Sequence, residues 1–144
     1  MVFVTPSGPR ALRSMLKSWF HRETPPDGER AMRSLLQAGA TPPTAIFCHA
    51  DELAFGVLSE MRRRGLRCPE DMSVVGFDGH PLSRFWVLTT VNQHAGLQGM
   101  RSARALISAL DGGSPQLTEG DQATQILLSL DVRDTTSAPG GLGR

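Results

Sequence analysis

The spacing of apolar positions changes several times along the chain, and each change predicts an element. Met1–Thr5 is a short apolar run suited to a strand. Pro9–Phe20 carries Leu12, Met15, Leu16 and Trp19 at helical spacing and predicts a helix. A second helix is predicted from Asp27, whose carboxylate is placed to cap the N–H groups of Glu29 or Arg30. It presents Ala31, Met32, Leu35 and Leu36 on one side and stops at Gly39. Thr44–Cys48 is continuously apolar, the pattern of a strand covered on both faces. Asp51–Arg64 reads as a helix with Ala54, Val57, Leu58 and Met61 on one face, closed by Gly65. Met72–Phe77 is another strand of the buried type, and Leu97–Leu110 a helix with Met100, Ala103, Ile107 and Leu110 aligned. Thr124–Arg133 is expected to be an extended edge segment. Proline and glycine clusters such as Thr24–Gly28, Thr41–Pro43, Cys68-Pro69 and Gly112–Pro115 fall between these elements as loops. The Gly-rich tail, Thr135–Arg144, is expected to be disordered.

Strand, helix, helix, strand, helix, strand is the rhythm of an α/β fold, a parallel sheet with flanking helices. Such sheets bind ligands at the carboxyl ends of their strands, which directs attention to Cys48–Asp51 and Asp78–His80. Composition narrows the function classes. The 144 residues include 15 basic and 14 acidic side chains, so charge gives no case for a nucleic-acid or membrane-surface binder. No apolar run approaches the ~20 residues of a membrane span, and Met1–Arg10 lacks the pattern of a secretory signal. Cys48 and Cys68 cannot make a disulfide framework. A cytoplasmic protein is expected. The sequence carries no P-loop, Gly-x-Ser-x-Gly elbow, His-Glu-x-x-His or Gly-x-Gly-x-x-Gly, and no tyrosine, so no enzyme and no cofactor is expected. Cys48, His49, Cys68 and His80 match no compact zinc spacing, and no metal is expected. Arg62–Arg64 fall in a last helical turn, where cations complement the helix dipole.

Three stretches are similar to one family. Pro43–Gly56, reading PTAIFCHADELAFG, resembles the "PTA…ND-x-x-A-x-G" segment of the LacI/GalR transcription regulators. Arg64–Asp78, RGLRCPEDMSVVGFD, is similar to their "GLRVPEDVSVVGFDD", and Leu88–Gln93 resembles their "LTTVxQ". The resemblance implies a periplasmic-binding-protein-like I fold, here partial. It places one domain at 1–134, with the C-terminal lobe at about 1–90 and 125–134 and a crossover helix region at 95–124, and the tail at 135–144. It further implies a small-molecule effector, sugar-like or nucleobase-like, held in a cleft between two lobes. The partners it implies are a second copy or an intact regulator as dimer mate. The helix-turn-helix is not expected within this chain, so neither direct nucleic-acid contact nor membrane contact is expected. A transport-type sugar-binding protein and an inactive remnant are the alternative readings.

The same resemblance nominates residues. Asp78 stands where the family binds its effector, and an ionised carboxylate accepts hydrogen bonds from adjacent hydroxyls, which suits a diol. Its other reading is a strand-end aspartate bonding the backbone of the Gly79-His80-Pro81 turn. Gln93 is either an effector contact at the crossover or an exposed loop amide. Asp51 matches the aspartate of the "ND" pair and is expected chiefly to cap its helix, shaping the cleft. Its companion asparagine is Ala50 here, and Glu23 and His94 also depart from the usual types. Phe55 lies off the apolar stripe and so on an exposed helix side. With Phe85 and Trp86 it falls where the family dimerises. If the closing lobe is elsewhere, the stripe Met100/Ala103/Ile107/Leu110 is left uncovered.

Overall fold

In the computed structural model, which describes residues 2–5, 23–38, 43–111 and 126–138, the two apolar runs predicted as buried strands lie side by side in the middle of a sheet. They are β2 (Ala45–Cys48) and β3 (Ser73–Asp78), parallel, with Ile46 opposite Val74. β1 (Val2–Thr5) flanks β2. β4 (Thr89–Asn92) runs parallel to β3, with Asp78 opposite Asn92. β5 (Ser129–Asp131) closes the order β1-β2-β3-β4-β5. The predicted helix over Pro9–Phe20, the stop at Gly39, the Gly112–Pro115 loop and the last residues of the tail lie outside the described residues.

The sheet is not wholly parallel, which corrects the sequence expectation. β1 runs antiparallel to β2, and β5 antiparallel to β4. The reason at β5 is visible in the helix before it. A parallel return requires a crossover packed back across the sheet. Instead α3 (Ala95–Leu110) leaves from the end of β4 with no buried residue, and β5 re-enters beside Asn92, the end from which the chain left.

The core sits on one sheet face. Ile46, Cys48 and Val74 alternate inward and meet Leu53, Ala54, Val57, Leu58 and Met61 of α2 (Asp51–Arg63). Phe47, Val75 and Phe77, on the opposite face, are only half-buried. α1 (Pro25–Gln37) packs on α2 and adds Ala31 and Met32 to the cluster. This helix starts two residues earlier than predicted. Pro25 and Pro26 occupy its first positions, where no N–H is needed. Asp27 is therefore inside the first turn rather than its cap; it is buried, accepts from the Thr24 hydroxyl and pairs with Arg30.

α1 and α2 touch backbone to backbone. A Cβ at Gly56 would stand 1.9 Å from the Pro25 carbonyl oxygen, and one at Gly28 would stand 2.1 Å from that of Leu53. The glycine of the Ala54-Phe55-Gly56 motif is thus a helix-packing residue.

The predicted stripe of α3 is uncovered among the described residues: Met100, Ala103, Ile107 and Leu110 are all exposed. Residues after Arg133 differ from expectation. Thr135 is buried and stitched between strands: its hydroxyl donates to the Val74 carbonyl at 2.7 Å and accepts from the Thr89 N–H at 2.8 Å. Glycine and proline enrichment begins only at Pro139; Thr135–Ser137 form an ordered strap, and the expected boundary at 134 falls before it rather than after it. No helix among the described residues is long and apolar enough to cross a membrane.

Gly56→Ala is expected to force the helices apart and destabilise the chain by about 1–3 kcal/mol, as overpacking does. Urea denaturation followed by far-UV circular dichroism checks this; an unchanged midpoint would show that the contact relaxes freely.

Candidate functional site

The carboxyl ends of β2, β3 and β4 meet around one carboxylate. Asp51, at the start of α2, is fully buried. Its Oδ1 accepts from the Thr90 hydroxyl at 2.7 Å. Its Oδ2 accepts from the Ser83 hydroxyl and from the His80 N–H, each at 2.7 Å. Gly76 on β3 makes room for it, because a Cβ there would stand 2.1 Å from Asp51 Oδ1. The expected capping role is corrected: Ala50 occupies the cap position with no side-chain bond to the helix. A buried ionised carboxylate needs several donors, and Asp51 finds them on β4 and on the turn after β3. Those bonds also leave it no exposed face for an effector. Ala50 is buried as well, so its position offers no ligand contact.

Asp78 and Gln93, nominated separately by the sequence, are brought together. The Gln93 amide Nε2 donates to Asp78 Oδ1 at 2.6 Å. The turn reading of Asp78 required the N–H groups of Gly79 and His80. In the structure Gly79 N–H donates to Thr90 Oγ1 at 3.3 Å and His80 N–H to Asp51. The reading of Gln93 as an exposed loop amide gives way too, since it is half-buried. Asp78 adopts φ 121°, a backbone region that side chains rarely occupy. Such strain persists where surrounding bonds impose it, and it concentrates at functional sites. Burial pushes the Asp78 carboxyl above the ordinary aspartate range, and the nearby Asp51, Glu52 and Glu23 carboxylates add to the shift. The Asp51 backbone N–H partly offsets it.

Around this pair stand groups that the sequence did not single out as a set. His49 Nε2 lies 2.7 Å from Glu23 Oε1, joining the end of β2 to the approach to α1. His80 lies 3.9 Å from Glu52. The "LTT" motif supplied Thr90 as a signal, but nothing in one sequence says that its hydroxyl faces Asp51. No group of three or more His, Cys, Asp or Glu suited to a metal occurs among the described residues. Cys48 is inert in this setting, its thiol pushed up to about 12 by burial. The basic run at the end of α2 is a structural cluster: Arg33, Arg63 and Arg64 surround the buried Glu60 at 3.0–3.5 Å.

Phe55 corrects a second expectation. It is 5% exposed, with its ring stacked on Trp86 at 5.5 Å and edge-on to His80 at 5.7 Å. The cause is the short connection from β3 to β4. Residues 79–88 must cross to the far end of the sheet with only a 3₁₀ turn at Pro81–Arg84, and they lie over α2 as they do so. Val87, at φ 45°, completes the bend. The aromatic surface is therefore Phe85, 84% exposed, with Trp86 at 38%, backed by Phe55.

Asp51→Ala leaves two hydroxyls and a backbone N–H without their acceptor, an expected loss of about 3 kcal/mol, with Asp51→Asn losing less. Chemical denaturation of both variants measures the difference; equal stabilities to the parent would dismiss the hub.

Comparison with known proteins agrees with this architecture. A periplasmic binding protein-like domain matches residues 11–136. The HTH-type transcriptional repressor CytR of Escherichia coli K12 is 42% identical over 73 residues, which are 49% of this chain and 21% of CytR. A LacI-family transcriptional regulatory protein from Corynebacterium glutamicum superimposes with a TM-score of 0.73 at 32% identity, over 85% of this chain and 46% of that one. A LacI family transcriptional regulator from Lactobacillus casei, solved with bound sucrose, gives 0.67 at 28% identity, over 78% and 41%. The chain thus spans less than half the length of these relatives. It belongs to the periplasmic binding protein-like domain family, as a part of the sensor domain of LacI-type transcriptional regulators.

Proposed function

We propose that this chain supplies the effector-sensing and dimerising portion of a cytoplasmic LacI-type transcriptional regulator, with no catalytic step. Its effector is a small polar molecule of the sugar or nucleobase class. The observation that carries the reading is the Asp78–Gln93 pair at the carboxyl ends of the parallel strands, where α/β sheets hold ligands. A carboxylate acceptor beside an amide that both donates and accepts can grip neighbouring hydroxyls or a base edge. Bound sucrose in the Lactobacillus casei regulator supports the sugar side of that class.

Dimerisation uses the Phe85/Trp86 surface, with Phe55 as its backing rather than as a direct contact. An 84% exposed phenylalanine beside a half-covered tryptophan is the kind of aromatic anchor that interfaces bury. The mate is a second copy or an intact regulator with the same surface.

The pH dependence follows from Asp78. Its folded carboxyl titrates above the ordinary range because burial disfavours the charge. Ionisation therefore opposes folding above that raised value, and the penalty vanishes below the unfolded value. A hydroxyl-bearing ligand stabilises the ionised form, so its affinity falls as pH drops through the raised pKa. A thermal-shift screen of the purified chain against sugars and nucleosides, sucrose among them, should yield a hit with this pH profile. Asp78→Asn should keep or raise the unfolding temperature at neutral pH while losing the ligand shift. A ligand response that survives in the variant would refute the assignment.

Phe85→Ala with Trp86→Ser is expected to convert a dimer into a monomer, read by light scattering after size exclusion. A dimer that persists in the double variant, or a monomeric parent, would reject this surface.

A further inference from the structure

We infer that His80 is a pH-sensitive cap for the Phe85/Trp86 surface: the neutral imidazole holds the 3₁₀ turn that carries these residues, and the imidazolium releases it. Its bearing on association rests on the reading of that surface as the dimer contact, whereas the link between the imidazole and the turn does not.

The His80 ring meets three neighbours at once. Its Nδ1 accepts the Leu82 N–H at 3.0 Å, which caps the Pro81–Arg84 turn. It stands edge to face with Phe55, centroids 5.7 Å apart, and Phe55 in turn stacks on Trp86. Its Nε2 lies 3.9 Å from Glu52 Oε1. The turn passes this arrangement on to the aromatic surface, because the Leu82 carbonyl accepts from the Phe85 N–H at 3.0 Å and from the Trp86 N–H at 3.2 Å. One imidazole thus fixes the residue from which both aromatic residues hang, and it steadies the ring behind them. His80 is a positioning residue for that surface.

Only one protonation state does this. An acceptor at Nδ1 requires the neutral ring with its proton on Nε2, the side toward Glu52. An imidazolium donates from both nitrogens and offers the Leu82 N–H nothing. The charged groups around His80 on the neighbouring elements are carboxylates: Glu52 and Asp51 of α2, the latter taking the His80 N–H, and Asp78 at the end of β3. Arg84 is the basic side chain of the turn itself. The carboxylates hold an imidazolium where it stands, with two donors face to face, so the ring or the turn must give way. Linkage is reciprocal: association through Phe85 and Trp86 opposes proton uptake as much as proton uptake opposes association.

Two variants and two readouts test this. Lowering the pH of the parent from about 7.5 to about 5.5, the interval in which imidazoles take up a proton, should move the Leu82 amide resonance in a two-dimensional NMR titration. It should also weaken the dimer about five-fold by analytical ultracentrifugation, the effect of one lost hydrogen bond. His80→Asn keeps a side-chain acceptor two residues before Leu82 and does not titrate. It should hold both the dimer and the Leu82 resonance steady over that range. His80→Ala lacks the acceptor and should show the parent's acid dimer affinity already at neutral pH. A pH response that survives in His80→Asn belongs to another group and overturns the cap, as does a Leu82 resonance that ignores the titration of His80 in the parent. A monomeric parent whose Leu82 amide follows His80 upholds the cap and refutes the dimer reading alone.

Discussion

One buried carboxylate decides where the strand ends sit. Asp51 accepts hydrogen bonds from Thr90 on β4, from the His80 N–H in the turn after β3 and from Ser83 in the 3₁₀ turn of the β3–β4 connection. An ionised group in that position is tolerable only because each donor is in place, and the room for it exists only because β3 carries Gly76. Through the His80 N–H, Asp51 also sets the turn that follows Asp78. The strained backbone of Asp78, its raised carboxyl pKa and its contact with Gln93 all lie downstream of that arrangement.

The rest of the molecule divides by how firmly it is packed. On one side, α1 and α2 meet at two glycines and close a core with Ile46, Cys48 and Val74. The strap at Thr135 ties the opposite end of the sheet by bonding both β3 and β4. On the other side, α3 contributes nothing to the core, and Leu128, Leu130 and Val132 around β5 are exposed with it.

Much of the fold was legible in the residues. The apolar runs at Thr44–Cys48 and Met72–Phe77, the helical spacing of Ala54/Val57/Leu58/Met61 and the cap glycine Gly65 place β2, β3 and α2 within a few positions of their true bounds. The apolar stripe of α3 was legible in its period, and the resemblance to a two-lobed family implied that its cover lies on the other lobe. The start of α1 was misjudged by two residues because Asp27 looks like a cap, while Pro25 and Pro26 can themselves open a helix. Phe55 was misplaced because helical spacing shows only the face toward the sheet. It cannot show that residues 79–88 return over the other side and stack Trp86 upon it. Asp78 and Gln93 could be nominated one by one, fifteen positions apart. Their contact exists only because β3 and β4 pair with Asp78 opposite Asn92.

By itself the sequence determined most of the element types and the family, since these depend on local periodicity and on motifs a few residues long. Tertiary structure alone decided that the outer strands run antiparallel, that Asp51 is a hub and not a cap, and that Thr135–Ser137 is a strap. Each of those outcomes depends on which donors and acceptors distant segments bring to the same place, and a buried polar group takes whatever partner the packing supplies.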